Sequence, residues 1–374
     1  MHFLTLAAVE IPEVQEDKET DKQVAEKLEK LKLQKQLATK NHMLDFAIEK
    51  FHSLQSAFSR AVVNSISDMM YPYCASMEDP EYLEFSDRTE TLREEYESTV
   101  DCIKLPQGTI VEQYGTPLWG RFSIRDGKVF QRDAGPLHHE KRTKRAKRMV
   151  ALPDYPCKKL YKSFKEYAEE KCGCSFDEKH QGYGYYYNPN AMWDWYSIGG
   201  RWPEMFLVKE TCKEYSIGER SWCSTDRESE APEGYIWVCA ARKKDIAWEE
   251  MRNWRNRKAK EQFDKFERMF LTGKTDSDFH GEIVPDGILH WGRYIYHNGD
   301  TLEAYLEEYG IPSDWRYPVY VHDIVDADQW LSKEDSVLDS ESGKYVPVDW
   351  RSYIDDYIDD VDDDTVLVAV DYHI

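Results

Sequence analysis

RWPEMFLVK (residues 201–209), GYIWVCAARK (234–243) and AWEEMRNWRNRKAKEQFDKFERMFLTG (247–273) decide the fold class. The first two are short runs of aromatic and β-branched residues, which read as strands. The third has an amphipathic spacing too long for a strand, and Gly273 stands where a helix C-cap needs positive φ. Strand, strand, helix in that order predicts an α+β fold with a mainly antiparallel sheet, in the manner of a ferredoxin-like fold, with packed helices and a helical insertion.

Working outward, the two ends of the chain supply further strands. MHFLTLAAVEI (1–11) is apolar but lacks the basic start and cleavage pattern of a signal peptide, and TVLVAVDYHI (365–374) is a near-continuous apolar run. Between the first strand and about residue 105 lies a charged region with apolar residues at Val24, Leu28, Leu31, Leu37, Leu44, Ile48, Phe51, Leu54 and Phe58. Steps of three, four and seven mark amphipathic helix, packed on the body or paired with another chain, a second copy included. Tyr161–Glu170 reads as a further short helix. The sequence therefore divides into a first strand (1–15), a helical insertion (16–105), a β-hairpin with a basic segment (106–150) and a main α+β domain with an acidic C-terminal region (151–374).

Charge bounds the function. The chain has 374 residues with 49 basic and 71 acidic side chains, a net charge of −22. That balance favours solubility and disfavours direct binding to nucleic acid or anionic lipid, and no apolar run approaches the roughly 20 residues that span a bilayer. From Asp323 onward the chain holds 16 acidic and 3 basic residues. Six of the eight residues from Lys141 to Arg148 are basic, against the general trend. Eight cysteines without secretory signals read as reduced core thiols in a cytoplasmic protein, and Cys172-Gly173-Cys174 has poor spacing for zinc. No cofactor is indicated. WGRF (119–122) and WGRY (291–294), each followed by a turn with Asp126-Gly127 or Asn298-Gly299, read as two hairpins.

The densest chemistry lies in NPNAMWDWYSIGGRW (188–202). Asn188 is a good N-cap and Pro189 fits the first helical position, so a two-turn helix is expected from Pro189 to about Ser197. Gly199 and Gly200 then permit positive φ and a close backbone approach. Trp193, Trp195, Tyr196, Gly199, Gly200, Arg201 and Trp202 are the candidate ligand-binding residues. Stacked indoles, a guanidinium and an orienting carboxylate at Asp194 suit a planar anion such as a nucleotide. A structural alternative has the tryptophans as a small core, with Asp194 capping an amide or pairing with Arg201 as a structural bridge.

If the first and last strands are antiparallel neighbours, His2 and His373 fall opposite one another near Asp371. His2, His373 and Asp194 are then the candidate catalytic residues. Imidazoles titrate near working pH, so the pair suits general acid and base in phosphoester cleavage. The sequence thus supports binding of a nucleotide-like small molecule, either alone or followed by hydrolysis. A rival reading is an acidic interaction protein that uses its amphipathic helices and C-terminal acid to occupy a partner's nucleic-acid-binding surface. There is no Walker A loop, no G-x-S-x-G elbow, no HExxH and no dinucleotide GxGxxG before a helix.

YNPNAxWDWYxIGGRW, the N-terminal MHxxTL strand, the A-R-K-x-D-I-x-W-x-x-M phrase at Ala241–Met251 and the VDYHI ending together resemble a little-characterised family of bacteria and their phages. The resemblance covers mainly residues 1–12 and 180–374. It implies a phage-encoded accessory or counter-defence protein acting in the host cytoplasm, and assigns no catalytic role.

Overall fold

A computed structural model describes residues 1–11, 18–37, 56–104, 108–112, 122–125, 128–132, 140–141, 152–218, 230–277, 279–326, 329–339 and 344–374. The chain forms two compact units, Met1–Cys74 with Ala191–Ile374, and Ala75–Asn190. Residues 151–190, read from sequence with the C-terminal domain, therefore belong to the second unit. The fold is α+β with several mostly antiparallel sheets.

In the first unit the elements in chain order are β1 (His2–Val9), α1 (Lys18–Leu37), α2 (Ala57–Met70), β2 (Trp195–Ile198), β3 (Phe206–Lys209), β4 (Ser216–Ile217), β5 (Tyr235–Val238) and β6 (Ala240–Arg242). There follow α3 (Trp248–Thr272), β7 (Glu282–Val284), β8 (Gly287–His290), β9 (Arg293–His297), α4 (Leu302–Tyr309), β10 (Asp323–Val325), β11 (Trp330–Ser332), β12 (Ser336–Asp339), β13 (Lys344–Pro347), α5 (Trp350–Asp360) and β14 (Val366–His373).

The main sheet runs β4-β6-β14-β1-β10-β11, and β2 also pairs with β14. β1 lies antiparallel to β14 and parallel to β10. A ferredoxin-like sheet shares that flanking of its first strand, but here β11, on the far side of β10, follows β10 in the chain instead of preceding it. β6 and β2 occupy successive stretches of one edge of β14, at Val366–Val368 and Val370–His373. Val366 to Tyr372 are buried without a break, which explains why this strand reads as continuously apolar rather than alternating. α2 covers the sheet with Val62, Ile66 and Met70, at steps of four, and Ser56 caps its start by accepting from the Ser59 amide at 3.0 Å. α3 ends at Gly273 with φ +63°, and it shares a smaller core with β7–β9 and α4 through Phe263, Met269, Ile288, Tyr296 and Tyr305.

Among the amphipathic positions, Leu28 and Leu31 are buried in α1, Phe58 is part-buried in α2, and Leu44, Ile48, Phe51 and Leu54 lie outside the described residues. The basic run from Arg142 to Arg148 lies outside them too. The hairpin of Phe122–Arg125 with Lys128–Arg132 is present, while Trp119, Gly120 and the Asp126-Gly127 turn are outside the described residues. The second WGR phrase differs from expectation. Trp291-Gly292 is itself the turn between β8 and β9, with φ +49° and +76°, and Asn298-Gly299 follows the hairpin.

Among the described residues the second unit holds three small antiparallel sheets, the helix Thr89–Ser98 and the short helical turns Phe164–Glu166 and Tyr167–Lys171. Its core joins Leu92, Cys102, Cys157, Tyr167, Ala168 and Cys174. None of the seven described cysteines is in a disulfide. Among the described residues no helix is long and apolar enough to cross a membrane.

Candidate functional site

Opposite residues in an antiparallel ladder project to the same face of the sheet, and residues two apart along a strand share that face. β1 and β14 pair over eight positions, from His2 opposite His373 to Val9 opposite Val366. β2 pairs on the other edge of β14, with Trp195 opposite His373 and Ser197 opposite Asp371. His2, His373 and Trp195 thus form one row across three strands, and Leu4, Asp371 and Ser197 form the next row on that face. The opposite face carries Phe3, Tyr372 and Tyr196.

The imidazole centroids of His2 and His373 are 5.0 Å apart, inclined at 61°. The Trp195 indole meets His2 edge-on at 5.8 Å. Each histidine has its own carboxylate: His2 Nδ1 lies 3.0 Å from Asp371 Oδ1, and His373 Nδ1 lies 2.8 Å from Asp194 Oδ1. An ionised carboxylate only accepts hydrogen bonds, so each pairing places a proton on Nδ1 and leaves Nε2 as the nitrogen not engaged by the carboxylate. Neither Nε2 has a hydrogen-bond partner among the described residues.

The two pairs differ in burial. Asp371 is fully buried and His2 is 20% exposed, whereas His373 is 38% and Asp194 53% exposed. A buried carboxylate needs its lone pairs satisfied. Asp371 Oδ2 accepts the backbone amide of Arg201 at 3.0 Å. That approach depends on Gly200: with φ +50°, a Cβ there would stand 2.3 Å from the Asp371 Cβ and 2.5 Å from its Oδ2. A Cβ on Gly199, φ +75°, would stand 2.9 Å from the Cys239 Cβ. The glycine pair therefore turns the chain tightly against β14 and aims one amide at one carboxylate. On the more exposed side, Asp194 also donates its backbone amide to the His373 carbonyl at 2.9 Å, so it holds that histidine by main chain and side chain together.

One expectation for the 188–202 segment is corrected. The Pro189–Ser197 helix is absent. Asn188 Oδ1 accepts the Asn190 amide at 2.9 Å in a turn of its own, and Trp195 to Ile198 then form strand β2. An Asx turn competes with helix initiation, and a Trp-Tyr-Ser-Ile run beside an open strand edge gains a ladder that a short helix could not supply. Asp194 pairs with His373 and not with Arg201. The Arg201 side chain is exposed, and its contribution to Asp371 comes from the backbone.

The remaining residues divide between the site and the core. Trp193 donates its indole N–H to the Met70 carbonyl at 2.8 Å and packs edge-on against Tyr196 at 4.8 Å, and both lie against the main core. Trp202 also packs there and bonds back to the Gly199 carbonyl. The row on the histidine face is thus His2, His373 and Trp195, with Asp194 and Asp371 as its carboxylates. On the other face the sequence reading missed a third histidine–carboxylate pair. Asp323, 1% exposed, accepts the Tyr372 hydroxyl and lies 2.9 Å from His322 Nδ1. Its only sequence signal is an acid inside the apolar run VYVHDIV.

The acidic C-terminal region is largely structural. Asp355, 5% exposed at its side chain, accepts the amides of Arg316 and Tyr317, each at 3.1 Å, and pairs with Arg351. The Arg316 guanidinium spans Asp356 and Asp359, and Lys243 caps the end of α5 through the carbonyls of Asp359 and Val361. A cleft of about 410 Å³ beside α3 and α4, lined by Arg252, Asn256, Glu303, Leu306, Glu307, Ile311 and Ser313, shares no residue with the histidine site. Arg252 bonds the carbonyls of Pro312 and Trp315, and Asn256 the amide of Ile311, so its best polar groups are committed to the fold. Chemistry therefore favours the paired histidines over the cleft. No family model, curated protein or solved structure matches the chain.

Proposed function

We propose that the paired His2–Asp371 and His373–Asp194 groups bind a nucleotide-like phosphoester and hydrolyse it by acid–base chemistry. The observation that carries this reading is the register. Two histidines on neighbouring central strands are opposite one another, and each is oriented through Nδ1 by a separate carboxylate. One Nε2 takes the proton of the attacking oxygen, while the other, protonated, gives a proton to the leaving oxygen. The carboxylates hold the rings in the tautomer that presents Nε2 and stabilise each imidazolium as it forms. Trp195 offers an aromatic edge and face beside the pair for a base, and the exposed Arg201 supplies the nearby cation. Described cysteines outside any disulfide suit a reducing cytoplasm, where such ligands are abundant.

The test is turnover of a panel of nucleotide phosphoesters by the full chain and by His373→Asn, with circular dichroism to check folding. General acid–base catalysis contributes about 10²–10⁴-fold, so the variant should lose at least about 100-fold while keeping its fold. Equal turnover by the two proteins would rule out the mechanism.

A further inference from the structure

Resting on that reading, we infer that the substrate carries its own nucleophile: it is a small ribonucleotide in which a free 2′-hydroxyl lies beside the phosphodiester to be broken.

The groups that face the ligand set the argument. Asp371 is committed through both oxygens, to His2 and to the Arg201 amide, and Asp194 is held on His373. Among the described residues no group of three His, Cys, Asp or Glu side chains is placed to hold a metal ion. What the sheet presents is a pair of imidazole Nε2 atoms on rings 5.0 Å apart, the scale of a single phosphoryl group. Such a pair moves two protons and forms no bond to phosphorus in doing so.

Magnitudes then select the substrate. Two proton transfers, each contributing about 10²–10⁴-fold, together supply roughly 10⁴–10⁸. The largest enzymatic accelerations, known for phosphate esters, reach far beyond that. A hydroxyl already attached next to the phosphorus adds an effective molarity of about 10⁵–10⁸ M, which closes much of the difference without any further protein group. Size follows from charge. The chain carries a net −22, and the histidine site lies in the unit that contains the acidic C-terminal region, so each additional phosphate on the ligand is repelled. A ligand with a single phosphodiester suffers least.

In the step proposed, one Nε2 accepts the 2′-hydroxyl proton as the O2′–P bond forms. The P–O5′ bond breaks, and the 5′-oxygen takes the proton carried by the other Nε2. The products are a 2′,3′-cyclic phosphate and a free 5′-hydroxyl. The two rings end with their protonation exchanged, which is the state required for water to open the cyclic phosphate by the reverse transfers.

The experiment compares uridylyl-(3′→5′)-adenosine with its 2′-O-methyl analogue, using the full chain and an identically prepared His373→Asn variant, with products separated by chromatography. The expected result is release of adenosine and 2′,3′-cyclic uridine phosphate from the ribo substrate only, reduced at least 100-fold in the variant. Cleavage of both substrates at similar rates would overturn the internal nucleophile and leave the broader phosphoester reading standing. Cleavage of neither would overturn the ribonucleotide inference and leave the broader reading to the phosphoester panel; equal cleavage by the variant would overturn both.

Discussion

Replacing Asp371 with Asn changes one atom at the most buried point of the site. The carboxylate accepts two hydrogen bonds, from His2 Nδ1 at 3.0 Å and the Arg201 amide at 3.0 Å, and none of its surface reaches solvent. Bonds to a charged group contribute about 1.5–3 kcal/mol each, against roughly 0.5–1.5 kcal/mol for neutral ones. Asn can still accept from Arg201, but its amide N–H₂ would face the His2 Nδ1–H. One bond is weakened and the other lost unless the ring changes tautomer. Relief of the buried charge offsets part of this, so the expected loss is about 2–4 kcal/mol. At roughly 2–4 °C per kcal/mol for a unit of this size, the melting temperature should fall by about 5–15 °C. Asp194→Asn is the internal control. With Asp194 53% and His373 38% exposed, the pair is a surface interaction of about 0–1 kcal/mol, and the shift should stay under about 4 °C. Thermal melts followed by near-ultraviolet circular dichroism measure both. Equal shifts, or a neutral Asp371→Asn, would refute the asymmetry of burial on which the description of the site depends.

Gly200→Ala should be more damaging than its size implies, because a left-handed backbone costs a side chain about 1–2 kcal/mol and the new methyl would stand 2.3 Å from the Asp371 Cβ; a melt unchanged from the parent would contradict this. Asp355→Asn, which disturbs two buried amide contacts and the Arg351 pairing, should destabilise the fold by about 2–3 kcal/mol in urea titration, whereas Asp360→Asn on the same helix should leave it within about 0.5 kcal/mol. Stability should also decline at alkaline pH. Burial, and then the neighbouring Asp101, push the Cys102 thiol up to about 12, and burial, then Asp359, pushes Tyr317 up to about 12. A raised folded value means the folded state holds its proton longer than the unfolded one. These contributions are therefore complete below the ordinary thiol and phenol values and are lost as pH rises from about 9 towards 12. Melting temperatures that stay level from pH 8 to 11 would be inconsistent with that sign.

Local patterns in the sequence carried much of the fold. The β14 run of apolar residues, the α3 periodicity closed by Gly273, and the strands at Phe206–Lys209 and Tyr235–Val238 all follow from composition and spacing. The pairing of β1 with β14 joins residues some 370 positions apart, and no local pattern encodes it. It enters the sequence reading only as a condition, from which the opposition of His2 and His373 then follows by counting residues. The 188–202 segment misled for the complementary reason. Asn-Pro meets the local rule for a helix start, but the Asx turn at Asn188 and the open edge of β14 claim the chain first. Asp194 was recognisable as a polar group in an aromatic turn, yet its choice of His373 over Arg201 is fixed by that edge pairing. The acid of α5 was legible as charge alone. That Asp355 is buried, and that Asp356 and Asp359 grip Arg316, follows from how the 312–318 segment lies across the helix.

The most direct test of the paired site is long-range proton–nitrogen NMR of the histidine side chains while uridine 3′-phosphate is added. The account predicts that His2 and His373 both carry their proton on Nδ1 in the free protein, and that both Nε2 resonances move together with one dissociation constant. A proton on Nε2 in either neutral ring, or resonances that respond separately or stay in place, would contradict it.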